Sequence, residues 1–142
     1  MGDLNAVYGT EQSDPVTLTA SESDTELVEE PKYVSLDDLT SRITMPDESQ
    51  YHVVTKIGYS AKAQVCSFYL HGGEATPVQV GPKVAAPANS SDVVDVHIRF
   101  PMGAPVKMAS QVTPGGELNV WVEYHTVQTQ NRIPTKQDYA TA

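Results

Sequence analysis

Cysteine is almost missing from this chain: Cys66 stands alone among 142 residues. That excludes an intrachain disulfide framework, and any metal site would have to be built from histidines and carboxylates. On a strand, a lone cysteine reads as a small buried hydrophobe rather than a reactive thiol. Basic residues are scarce too, nine against eighteen Asp and Glu, giving a formal charge of -9. No basic run is present to displace counterions from a phosphate backbone, so direct sequence-specific nucleic-acid binding is not expected. No apolar run approaches the roughly 18–20 residues that a spanning helix needs. Nothing near Met1 has the pattern of a secretory signal. The chain is therefore expected to span no membrane and to be made in a reducing compartment. Met1–Ala6 departs from the myristoylation pattern, which wants Ser or Thr where Ala6 stands.

Chemistry-bearing motifs are missing as well. The chain has no G-x-G-x-x-G, no phosphate loop and no nucleophile elbow. His52, His71, His97 and His125 never fall at H-x-x-x-H or H-E-x-x-H spacing. Each is expected to be a solvated strand or turn residue, not a ligand. Asp92 and Asp95 are the nearest approach to an acid–base pair, but Asp92 beside Ser90 and Ser91 reads better as a turn cap. No catalytic residue, metal ligand or cofactor site is expected, and the chain is not expected to be an enzyme.

What is present is unevenly spread. Residues 1–50 hold twelve acids and only two bases, Lys32 and Arg42. The remaining residues hold six acids and seven bases, so the net charge is -10 in the first third and +1 in the rest. From Gly2 to Pro31 the chain is rich in Ser, Thr, Asp and Glu, with apolar residues too sparse for a core. Residues 1–33 are thus expected to be an extended, disordered acidic arm that gains order only against neighbouring subunits.

A helical signature follows over 34–45. Ser35 can cap, with Asp37 and Asp38 in the first turn, where the helix dipole favours carboxylates. Leu36, Leu39 and Ile43 then fall on one face, and Pro46 stops the helix. Two turns are not stable alone, so these three residues are expected to dock on a partner.

After Tyr51 the period changes to two. Tyr51, Val53, Thr55, Ile57 and Tyr59 alternate with His52, Val54, Lys56 and Gly58. Gln64–Leu70 is dense in β-formers, and His71-Gly72-Gly73 turns the chain. Val78–Val80 is a short strand candidate, and Val106–Val112 an irregular one. The clearest strands are Val93–Phe100 and Leu118–Val127, each with one apolar and one polar face. Five to six strands with no helix between them point to an all-β, mostly antiparallel sandwich or partial barrel over 46–130. Residues 131–142 read as a polar tail, where Pro134 argues against another central strand.

Trp121 is the exception on its strand. It stands among Asn119, Glu123 and His125, a large aromatic on an otherwise polar face. Either a partner covers it, as expected of an interface residue, or the chain itself does.

The order of these parts resembles picorna-like virus capsid proteins. The polar stretches Thr10–Asp14 and Thr17–Thr25 are similar to their extended arms. Ser35-Leu36-Asp37-Asp38-Leu39-Thr40-Ser41-Arg42 is similar to their short Ser-Leu-x-x-Leu-x-x-Arg helix, and Gly116–Tyr124 to their last strand. The resemblance implies a jelly-roll structural protein of the virion, acting through self-assembly and arm-mediated contacts with other capsid subunits, assembled in the host cytoplasm. Only 92 residues follow Gln50, so it implies an abbreviated jelly roll or a minor, capsid-cementing component. The alternative is a β-sandwich binding module for carbohydrate or a protein partner, using the loops near His71–Glu74 and Pro101–Pro105.

Overall fold

A computed structural model describes residues 6–7, 9–34, 44–46 and 50–128. Twelve strands run through them. β1 (Ala6–Val7), β2 (Glu11–Gln12), β3 (Val16–Leu18), β4 (Thr25–Val28), β5 (Lys32–Val34) and β6 (Thr44–Pro46) come first. β7 (Gln50–Lys62), β8 (Cys66–His71), β9 (Val80–Ala86), β10 (Ser90–Arg99), β11 (Val106–Val112) and β12 (Glu117–Gln128) follow.

The short pieces β1, β2 and β3 all pair antiparallel with β12, in one continuous direction from Ala6↔Gln128 to Leu18↔Leu118. Together they make one broken strand along that edge. Counted so, sheet A has the order β1/β2/β3, β12, β7, β10, and sheet B the order β4, β11, β8, β9. The first strand pairs the last, β4 pairs β11, β7 pairs β10 and β8 pairs β9, all antiparallel. This is one long hairpin rolled up on itself, which makes an eight-stranded double-sheet jelly roll. β5 and β6 form a separate two-stranded ribbon in the connection from β4 to β7.

The fold class read from the sequence is therefore found, with two differences. No abbreviation is needed. The missing strands come from the acid-rich segment: residues 9–28 belong to the sandwich and are not an appendage to it. They hold because their few apolar residues stand where the sheets need them. Leu18, Leu27 and Val28 are buried in the common core. The Ser13 amide donates to the Val122 carbonyl at 2.8 Å and the Val122 amide to Ser13 Oγ at 2.9 Å.

The second difference concerns the helix expected over 34–45. Among the described residues there is no helix. Val34 and Thr44 instead face each other across the β5–β6 ribbon, as do Tyr33 and Met45. β-Branched and aromatic residues at these ends fit a pleated strand better than a helix terminus. Leu36, Leu39 and Ile43 lie outside the described residues, as do Met1–Asn5 and the tail 131–142.

The core lies between the sheets. Phe68, Leu70, Met108 and Val106 of sheet B meet Ile57, Leu118, Val120 and Val122 of sheet A, with Phe100 closing one end. Cys66 is buried among them, as its sequence context suggests. Val106–Val112 forms an inner strand between β4 and β8, in unbroken register with β8 but with a register shift against β4 between Val106 and Lys107. β9 begins where the short candidate at Val78 was expected to end, and runs through Gly81-Pro82. It is an edge strand, where a missing amide hydrogen is tolerated. Gly81 takes φ +81°, and a β-carbon there would press on Ile98 Cδ1.

Candidate functional site

The outward face of sheet A is set by the two longest strands, β7 and β12. Their register slips by one residue between Glu123/Tyr124, leaving Thr55 unmatched on β7. The bulge reverses the facing of β7. On one side Ile57, Tyr59 and Ala61 point to the core; beyond Thr55, Val54 does so and Tyr51 and Val53 point outward. The simple alternation from Tyr51 to Tyr59 does not survive, because a β-bulge inserts a residue without changing the side-chain period. Tyr51, Val53 and Val127 then form a second buried apolar cluster on the far face. The Arg99 guanidinium stacks over the Tyr51 ring at 4.2 Å.

Along the same face the cross-strand rows can be read from the register. Asn119, Ser60 and Ser91 make one row, Trp121, Gly58 and Val93 the next, and Glu123, Lys56 and Asp95 a third. Trp121 is half-buried, and no loop or neighbouring segment is needed to explain it. The indole lies flat across β7: a β-carbon on Gly58 would fall inside it, against Cε2, Cζ2 and Nε1. Glycine at 58 is what allows a large ring to rest on the sheet instead of standing off it. Beside the ring is an open groove of ≈ 480 Å³, bordered by Ser60, Ser91, Asp92, Val93 and Asn119. Val93 is 49% exposed. Asn119 Nδ2 donates to Thr17 Oγ1 at 2.9 Å. Asp92 accepts the Val93 amide through one carboxylate oxygen at 2.7 Å, so it braces its own strand instead of capping a turn.

A different site lies beyond the bulge, where Gln50–Val54 of β7 pair with Tyr124–Gln128 of β12. The inward positions of β7 and β12 become polar there. Gln50 Nε2 donates to Gln128 Oε1 at 2.7 Å. His52 Nε2 donates to the Glu29 carbonyl at 2.7 Å, and Nδ1 meets Thr126 Oγ1 at 2.9 Å. A carbonyl can only accept, so Nε2 carries the proton and Nδ1 takes the Thr126 hydroxyl hydrogen. Tyr124 packs edge-on against His52 with ring centroids 5.3 Å apart, and donates to Glu11 Oε2 at 2.7 Å. Burial holds the His52 pKa below its ordinary value, against the Glu29 hydrogen bond and the Glu11 charge. Burial and the Glu11 carboxylate push the Tyr124 phenol well above its usual value. The groove above them is ≈ 730 Å³, with Glu11, Asp14, Glu29 and Glu30 on its rim.

Two histidines expected to be solvated are thus buried. His52 closes the polar end of the sandwich. His71 is fully covered, donating from Nε2 to the Ser23 carbonyl at 2.9 Å and accepting the Gly73 amide at Nδ1 at 3.0 Å. His97 is exposed and His125 half-buried. The sequence marked a turn at His71-Gly72-Gly73 but not the burial of His71 beside it, and nothing in it marked the bulge that turns His52 inward. Among the described residues no group of three His, Cys, Asp or Glu is placed to hold a metal ion.

No family model matches the chain, and no curated protein matches it. Several solved structures are similar at low identity. A chain of the Bacillus endospore appendages, a family of disulfide-linked pili, is 8% identical over 89% of this chain and 90% of its own, with a TM-score of 0.44. The Tobacco streak virus coat protein is 12% identical over 86% and 92%, with a TM-score of 0.38. A carbohydrate binding module from Cellvibrio mixtus lichenase 5A, in complex with cellotriose, is 12% identical over 76% and 95%, with a TM-score of 0.35. At these scores none of them decides function, and the fold rests on the strand pairing.

Proposed function

We propose that the chain is a non-catalytic structural subunit of a virion, a coat or capsid-cementing protein that assembles in the host cytoplasm with other capsid subunits. The observation that carries this reading is the rolled hairpin: a complete jelly roll whose first strand is broken into short pieces and laid along an edge. Jelly rolls are one of the architectures from which viral shells are built. The arm-like sequence order and the Ser35–Arg42 pattern support the same reading. In this proposal Leu36, Leu39 and Ile43 dock on a neighbouring subunit. Arm-mediated contacts would come from residues outside 9–28, since those pair within their own chain.

The test is the mass and symmetry of the purified chain, by sedimentation velocity and electron microscopy. Closed particles or discrete oligomers are expected. A monomer at all concentrations, with or without candidate partner subunits, contradicts the proposal.

A further inference from the structure

We propose that the outward face of sheet A around Trp121 binds a neutral sugar ring, with the indole as the stacking platform. This inference is independent of the assembly reading, and either can fail alone.

Three features of the face converge on that ligand class. The first is the seating of the ring. Trp121 does not insert into the core and does not stand proud as a knob for a partner's pocket. It lies on Gly58, which directs one indole face to the sheet and the other outward. A flat aromatic face next to an open groove suits a ligand that is itself flat and apolar on one side, as a pyranose is with its axial C–H groups.

The second is what borders the ring. The groove of ≈ 480 Å³ falls within the range of small-molecule sites, about 300–1,000 Å³. Its lining includes Ser60, Ser91 and Asn119, whose hydroxyls and amide supply both donors and acceptors on the row next to the indole's. Sugar hydroxyls need that mixture at the rim of an apolar platform. Val93, exposed at the end of the Trp121 row, extends the apolar strip.

The third is charge. The next row holds Glu123, Lys56 and Asp95, and Asp92 borders the groove itself. A nucleotide would also stack on indole, but its phosphates would meet more carboxylates than ammonium groups. An uncharged glycan meets no such opposition.

The chain has a single tryptophan, so intrinsic fluorescence reports on this site alone. The experiment is a screen of the intact protein against an array of neutral and anionic glycans. Fluorescence titration then follows with the neutral oligosaccharides that bind. The expected result is a saturable change in emission with a neutral oligosaccharide. The Trp121 variants lack the fluorophore and are titrated by isothermal calorimetry beside the wild type: Trp121→Ala should weaken binding by roughly tenfold or more, and Ser60→Ala and Ser91→Ala by about threefold each, with thermal melts of the serine variants unchanged. Trp121→Phe keeps an aromatic face over Gly58 and should bind more weakly than wild type but better than Trp121→Ala. It also serves if Trp121→Ala fails to fold. The proposal is overturned if no neutral glycan binds, or if binding survives Trp121→Ala. It is equally overturned if Trp121 becomes inaccessible to acrylamide on assembly, which would make this face an interface between copies.

Discussion

Trp121 and Gly58 face each other across β12 and β7, and the indole occupies the volume that any side chain at 58 would need. Gly58→Val should therefore force the ring off the sheet. It should cost about 1–3 kcal/mol, as overpacking does, and red-shift the emission of the lone tryptophan. Chemical denaturation followed by fluorescence measures both. A variant as stable as wild type with unchanged emission would show that the ring is not seated on β7.

The polar end of the sandwich should make stability depend on pH in a defined direction. His52 has a lowered pKa in the folded state because burial disfavours the imidazolium. The unfolded chain thus binds the proton more readily, and stability rises with pH wherever it does so. The contribution is complete above the unfolded value, about 6.5, and is lost as pH falls below it towards the folded pKa. His52→Asn should remove that part of the slope below about pH 7. Denaturant midpoints for both proteins across that range measure it, and parallel curves would contradict it.

The N-terminal strand should contribute to stability despite its composition. Leu18 is buried beside Leu118, and Leu18→Ala should cost about 2–3 kcal/mol. Ser13→Ala removes the hydroxyl that accepts the Val122 amide and should cost about 1 kcal/mol. Urea unfolding of the two variants checks both. No effect from either would mean that the segment does not hold the edge.

Cys66 should behave as an interior group. Burial pushes its thiol pKa up, and the side chain is 1% exposed. Alkylation by iodoacetamide in native buffer should be roughly tenfold or more slower than in denaturant at the same pH. Equal rates would place the thiol at the surface.

Much of this fold is legible in the sequence, and the rest is hidden for identifiable reasons. Alternation marks β10 and β12 plainly because each has one face in the core and one in water. β11 and β9 are less clear because Ser110, Gly81 and Pro82 interrupt their patterns. The first strand is nearly invisible: a window average over Thr10–Thr25 is dominated by its exposed Ser, Asp and Glu, while its anchors are only Val16 and Leu18. Composition reports what a segment can do alone, and this segment borrows its hydrogen bonds from β12. Trp121 is conspicuous in the sequence, but its partner is a glycine, the ninth residue of β7, and only the register brings them together. His52 is hidden because a single unmatched residue, Thr55, decides which way it faces.

The rolled hairpin is closed by the N-terminal segment pairing with β12 of its own chain. Thr17 and Asn119 are register partners whose side chains meet at 2.9 Å on the outward face. In a Cys66→Ala background, cysteines at both positions are within reach of a disulfide without moving the backbone. Mild oxidation of the Thr17→Cys/Asn119→Cys protein, read by mass spectrometry and non-reducing electrophoresis, should give an intrachain disulfide in nearly all molecules at low concentration. Free thiols, or disulfides found only between chains, would contradict the rolled hairpin described here.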